Sequence, residues 1–221
     1  MSLKQGKKKK KQCNFLYDFV KITGALPMLI WLRVKTVYEG KGKKPNLRKG
    51  MLITANHKSM LDPIVVHCAL WKRRINCLAT TDLYNTKLKK WFFTNINCIP
   101  VDKQNFSMDS FHTVCDNLKE GKAVLIFPEG GLNGGGGEGG MLALKSGAVL
   151  MAYQADAPIL PLYIMPRKKW YHRTVVLMGE PISVRALCGE RPSMAELNKV
   201  SEILRQRELE LKDKYEKEKN K

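Results

Sequence analysis

Apolar residues fall in short unbroken blocks: Met51-Leu52-Ile53-Thr54-Ala55, Ile75 to Ala79, Ile96 to Val101, Ala123 to Phe127, Pro158 to Ile164 and Thr174 to Met178. Continuous runs of this length suit strands covered on both faces. Between them the period lengthens. Helices are predicted from Pro63 towards Trp71, over Thr86 to Thr94, over Phe106 to Glu120 and over Met141 to Gln154. In the third of these, Phe106, Phe111, Val114, Cys115 and Leu118 share a face and Gly121 closes the helix. From Ser193 onward, charges of both signs alternate with Leu197, Val200, Ile203, Leu204, Leu209 and Leu211, the pattern of a long surface helix frayed at its lysine-rich end. Strands alternating with helices predict an α/β fold, one domain with a mostly parallel central sheet flanked by helices.

The first fifty residues follow another rule. Lys7 to Lys11 is a bare lysine run, and residues 1 to 50 hold fourteen basic side chains against only Asp18 and Glu39. Phe15 to Arg33 is apolar but carries Asp18 and Lys21, and Pro27 divides it. The uninterrupted part, Ile22 to Leu32, is about half of the roughly 20 residues a spanning helix needs. One or two short amphipathic helices in a membrane interface fit, with Phe15, Phe19 and Trp31 buried in lipid and Lys21, Arg33 and Lys35 at the headgroups. A core helix covering one sheet face is the alternative. The chain thus divides into a basic disordered tail (1–14), an amphipathic helical segment (15–48), an α/β core (49–190) and a charged helix (191–221).

A net charge of +19 calls for an anionic partner, a membrane surface or nucleic acid. The lysine run has no interleaved aromatics, and no helix-turn-helix or zinc-finger spacing is present, so nucleic acid is not expected. Six cysteines form no Cys-x-x-Cys pair and have no histidine at zinc-ligand spacing, which reads as reduced thiols and no metal.

Chemistry concentrates where the first core strand ends, in Asn56-His57-Lys58-Ser59-Met60-Leu61-Asp62-Pro63. Five residues of ideal helix would leave His57 and Asp62 well off one another's face, so they meet only if a tight turn precedes a helix started at Asp62-Pro63. Asp62 would then orient the His57 ring as a general base. The same residues also fit a helix cap beside a turn histidine. Phe127-Pro128-Glu129-Gly130 brings Glu129 to the same rim, either to bind substrate hydroxyls or to fix the loop through backbone amides. The glycines at 134–137, 139 and 140 lack the Gly-Lys-Ser/Thr of a phosphate loop and read as a flap. No Gly-x-Ser-x-Gly elbow is present, which disfavours a serine nucleophile.

His57 to Asp62, then Phe127-Pro128-Glu129-Gly130, then Pro158-Ile159-Leu160-Pro161 resemble, in this order and spacing, the PlsC-like glycerolipid acyltransferases. The resemblance covers about Lys49 to Ser183 and implies a glycerol-3-phosphate acyltransferase-like fold. It further implies transfer of an acyl group from acyl-CoA or acyl-acyl carrier protein, with no cofactor, to the free hydroxyl of lysophosphatidic acid, giving phosphatidic acid, with glycerol 3-phosphate or another lysolipid as the alternative acceptor. His57 and Asp62 are its catalytic pair. Asn56, Ser59, Lys103, Glu129, Gly130 and Lys145 are its substrate-binding candidates. The Thr-Arg that usually follows Glu-Gly is replaced by Gly131-Leu132, leaving Lys103 and Lys145 to hold a phosphate. Peripheral or monotopic attachment to the cytoplasmic face of the cell membrane goes with that activity.

Overall fold

The strand that precedes His57 is buried along its whole length, and the rest of the chain is layered around it. In the computed structural model the described residues are 14–40, 45–102, 107–133, 141–167 and 172–220. They run α1 (Asn14–Val20), α2 (Leu26–Leu32), β1 (Lys35–Tyr38), β2 (Met51–Ala55), α3 (Asp62–Ala69) and β3 (Ile75–Thr80). Then follow α4 (Lys87–Asn95), β4 (Cys98–Val101), α5 (Met108–Lys119), β5 (Ala123–Ile126), α6 (Gly147–Ala155), β6 (Ile159–Ile164), β7 (Val175–Met178), α7 (Val184–Cys188) and α8 (Met194–Lys219). The lysine run, Lys103, Phe106 and the glycine flap fall outside the described residues.

The seven strands are ordered β1-β7-β6-β2-β5-β3-β4. Five of them, from β6 to β4, are parallel, whereas β7 runs antiparallel to β6 and β1 follows β7. Side chains alternate across this sheet and both faces are covered. Ile53, Ala55, Leu125, Leu160 and Leu162 pack with α2 and α3 on one face. Leu52, Val124 and Ile159 pack with α5, α6 and α8 on the other. That two-sided burial is why the strand runs are apolar throughout.

Several expectations need correcting. Lys35–Tyr38 is a strand, so the sheet has seven strands among the described residues; its half-exposed edge position hides the apolar signal. The helix expected from Met141 starts at Gly147, because the amides of Leu142 and Lys145 donate to Glu129 and Pro128 instead of to helical carbonyls. Asn97, at φ 65°, delays β4 to Cys98. The C-terminal helix is not only a surface element: Leu197, Val200, Leu204, Glu208 and Leu211 are buried along one stripe.

Pro27 does not divide the N-terminal helix either. A π-turn at Lys21–Ala25 joins α1 to α2 without a break, and Pro27 lies in the first turn of α2, where its missing N–H costs little. The result, Phe15–Leu32, is long and apolar enough by length and composition to cross or anchor in a membrane. Its inner side is fixed to the domain. Tyr17 Oη accepts the Ile75 amide at 3.0 Å, and Leu32 is buried beside α3. Phe15, Phe19, Ile22, Leu26 and Ile30 remain exposed along the outer side. The helix starts at the N-terminal end of β3 and finishes beside β7, where Leu32 O accepts the Thr174 amide at 3.0 Å. The parallel strands therefore end near its second half.

Candidate functional site

At the C-terminal end of β2 the chain leaves the sheet in a tight turn rather than a helix. Asp62 makes the turn possible. Its Oδ2 accepts the amides of Lys58 and Ser59, both at 2.7 Å, and lies 3.1 Å from His57 Nδ1. A buried carboxylate with three converging donors holds its place firmly, because charge-assisted bonds are roughly twice as strong as neutral ones. Pro63 then starts α3 directly. With Nδ1 as the donor to Asp62, Nε2 carries the lone pair; it has no hydrogen-bond partner among the described residues. The ring stacks on Phe127 with centroids 4.1 Å apart, and its side chain is 16 % exposed. One edge of the imidazole is therefore held and the other is open to a reactant.

The His57 peptide is held as firmly as its ring. Its N–H donates to Glu129 Oε1 at 3.0 Å, and its carbonyl accepts the Asn133 amide at 2.7 Å. Glu129 Oε2 accepts the Leu142 amide at 3.0 Å. One buried carboxylate thus joins the loops after β2 and β5 to the segment before α6. Asn56 does similar work between β2 and β6: its side-chain amide donates to Ile164 O at 3.1 Å and accepts from Ile164 N at 2.7 Å.

Among the expected site residues, His57 and Asp62 come together as the spacing predicts. Asn56 was expected to bind substrate, and Glu129 either to bind substrate or to fix its loop through backbone amides; both are buried with their carboxamide and carboxylate atoms committed to backbone groups, so Glu129 takes the second course. They shape the site from below. Ser59 is exposed, and its Oγ accepts the Leu61 amide at 3.2 Å while its own proton stays available. Gly130 stands at φ 75°, and a Cβ there would lie 2.8 Å from Lys145 Cε and 2.9 Å from Lys145 Nζ. Glycine is thus favoured by the left-handed turn, and the end of the exposed Lys145 side chain lies directly across it. Lys103 is outside the described residues. His67, the other histidine near the motif, bonds Pro63 O at 2.7 Å, and burial lowers its pKa, so it belongs to α3 and not to the rim. No group of three or more potential metal ligands occurs among the described residues.

One participant was not foreseen. Glu208, on α8, is fully buried and accepts the Thr54 hydroxyl at 2.7 Å, two residues before Asn56 on the strand that delivers His57. Burial, with the nearby negative charge of Glu129, pushes its carboxyl up to about 8, so at neutral pH it holds a proton. Its position on the stripe Leu197-Val200-Leu204-Glu208-Leu211 was the available signal.

The family model described as Acyltransferase matches residues 35–165. The 1-acyl-sn-glycerol-3-phosphate acyltransferase of Bacillus subtilis (strain 168) is 29% identical over 206 residues, covering 91% of this chain and 99% of that protein. The probable 1-acyl-sn-glycerol-3-phosphate acyltransferase of Mycoplasma pneumoniae is 31% identical over 156 residues, 66% of this chain and 56% of that one. Among solved structures, the 1-acyl-sn-glycerophosphate (LPA) acyltransferase PlsC from Thermotoga maritima superposes with a TM-score of 0.60 at 20% identity, over 91% of this chain and 78% of that chain.

Two outcomes follow from the clamp and the buried acid. In Glu129→Gln a side-chain N–H₂ replaces one of the two acceptor oxygens, so one of the His57 and Leu142 amides is left facing a donor. Stability measured by urea unfolding should fall by about 1–3 kcal/mol, the cost of one unsatisfied buried donor, and exchange of those two amides should quicken. For Glu208 the folded-state pKa lies above the unfolded value, so stability falls as pH rises from about 4.5 to about 8 and then levels. Glu208→Gln should flatten that slope in urea midpoints taken at pH 5 and pH 9; parallel slopes in variant and parent would contradict it.

Proposed function

This chain belongs to the acyltransferase family, and from that footing we propose that it moves a fatty acyl group from a thioester to the free hydroxyl of lysophosphatidic acid, forming phosphatidic acid. The observation that carries the reading is the His57–Asp62 pair, 3.1 Å apart at the open end of the parallel strands. The donor is acyl-CoA or an acyl carrier protein, and its thioester already holds the activated carbonyl. All that remains for the protein is to raise the nucleophilicity of a hydroxyl and to position it.

In this reading Nε2 of His57 takes the proton of the acceptor hydroxyl as its oxygen attacks the thioester carbonyl. A C–O bond forms, the C–S bond breaks, and the departing thiolate recovers the proton from the imidazolium. Asp62 keeps the ring in the Nδ1–H tautomer and offsets the positive charge that builds on it. The amides of Lys58 and Ser59 hold the Asp62 oxygen in place, so little reorganisation accompanies proton transfer. No covalent acyl-enzyme is needed.

Lys145, lying across Gly130 at the same rim, is assigned to the acceptor phosphate. A lysine neutralises phosphate as a point charge without the paired donors of an arginine, so it tolerates more variation in head-group placement. Lys103 is assigned the same duty on the strength of the family resemblance alone. The outer stripe of the N-terminal helix, Phe15, Phe19, Ile22, Leu26 and Ile30, is proposed to lie in the cytoplasmic face of the membrane, where the acceptor's acyl chain is dissolved.

A labelled acyl thioester offered to a panel of lysophosphatidic acid, glycerol 3-phosphate and other lysolipids, with product identification, tests the assignment. Phosphatidic acid should dominate, and equal use of lysolipids without a free phosphate would overturn the acceptor. His57→Ala should remain folded and lose about 10²- to 10⁴-fold in turnover. Lys145→Ala should raise the acceptor KM and leave the thioester KM nearly unchanged; equal effects on both would remove its assigned role.

A further inference from the structure

A cleft lies at the end of the sheet opposite the His57 rim. It has a volume of about 660 Å³ and is lined by residues that open β3 or immediately precede β3, β4 and β5, together with the first half of the N-terminal helix. Because β2, β3 and β5 are parallel, this is the end away from His57.

Its walls are cationic beyond what local partners neutralise. Arg74 is paired with Asp18 at 2.5 Å, and Lys122 with Glu120 at 2.9 Å. Arg73 donates instead to the carbonyls of Arg48, Lys49 and Gly121, and Lys21 Nζ to the carbonyl of Arg73. Carbonyl oxygens satisfy donors without cancelling a net charge. Lys72 adds another exposed cation to the wall.

Three buried polar atoms in residues of the same wall have no hydrogen-bond partner among the described residues: Arg73 Nε, Asn76 Nδ2 and Asn97 Oδ1. The two asparagines are only 3% and 4% exposed. An unpartnered buried polar group is costly, and three in one cleft describe the ligand that would relieve them. Two donors in a positive field call for an anionic oxygen, and one acceptor calls for a hydroxyl. The space is several times that of a bare phosphate. Ile22, at the lip, continues into the exposed apolar stripe of the helix.

We propose that this cleft binds the phosphate ester of a glycerol-bearing anionic head group, seating a membrane lipid against the N-terminal helix at the end of the sheet away from the catalytic pair. Basic pockets beside membrane-facing helices recognise anionic lipids by this combination of charge and hydrogen bonding. The site is separate from the proposed acyl transfer and would hold even if another acceptor were used.

The test is flotation of the full chain with phosphatidylcholine vesicles with and without phosphatidylglycerol, together with calorimetric titration of soluble glycerol 3-phosphate. Asn76→Ala, which leaves the net charge unchanged, and Lys72→Gln should each weaken binding to the phosphatidylglycerol vesicles by about five-fold. Lys199→Gln, which removes an exposed lysine of α8 outside the cleft, should weaken it less than two-fold. Turnover of a detergent-dispersed acceptor should stay at the parent level in all three, separating loss of this site from loss of acyl transfer. Saturable binding of glycerol 3-phosphate that Asn76→Ala abolishes would identify the phosphate ester itself as sufficient; a defect confined to vesicles would identify the membrane lipid as its source. Parent-level binding in both cleft variants overturns the proposal, as does an equal loss in Lys199→Gln. Should Asn76→Ala fail to fold, Lys72→Gln against Lys199→Gln decides alone.

Discussion

The site rests on the Glu129 carboxylate, which accepts the His57 amide with one oxygen and the Leu142 amide with the other. A buried carboxylate is costly to desolvate, and this one is tolerated because charged acceptors make strong bonds to backbone N–H groups. Three connections that no secondary structure joins, those after β2 and β5 and that before α6, are thereby held in one arrangement. The Asn133 amide on the His57 carbonyl completes the grip. His57 is then positioned by its own peptide, and Asp62 has only to set the ring.

The division of labour between the two carboxylates follows from where their acceptors point. Asp62 directs one oxygen to three donors within its own turn, including the imidazole. Glu129 spans loops and never meets the ring. Beneath both, Glu208 on α8 bonds Thr54, and its burial near the Glu129 charge keeps it neutral at ordinary pH. A third carboxylate placed there in ionised form would add like charge below the rim. The C-terminal helix therefore covers the sheet and also supplies an uncharged acid under the strand that ends in His57.

Much of this was legible in the chain. The unbroken apolar runs marked five of the six expected strands as buried, since strands covered on both faces cannot alternate, and the Asp62-Pro63 helix start foretold the turn that brings His57 and Asp62 together. The two edge features were harder. Lys35–Tyr38 pairs only with β7 and is half exposed, so its pattern is too weak to separate from the helix before it. Pro27 suggested a break that the π-turn ahead of it absorbs. Asn56 was expected to face a ligand and turns inward, while Glu129 takes the loop-fixing course of the two its position allowed: sequence places both at the rim but does not decide whether a polar side chain turns outward to a ligand or inward to the backbone. Glu208 was hidden among the many charges of α8, and only its spacing from Leu204 and Leu211 set it apart.

The N-terminal helix links these local facts to an exposed apolar surface. Its inner side is fixed at one end by Tyr17 on the first residue of β3 and at the other by Leu32 beside β7, while its apolar outer side faces away from the domain. Whatever the outer side rests on, the rim carrying His57 is held in a fixed relation to it. What the chemistry requires above all is that the His57 proton reside on Nδ1, facing Asp62. Long-range proton–nitrogen spectra of the imidazole in the neutral form measure this directly. The predicted result is a single Nδ1–H tautomer with an unprotonated Nε2; a dominant Nε2–H tautomer, with the proton already occupying the position that must receive one, would contradict the account.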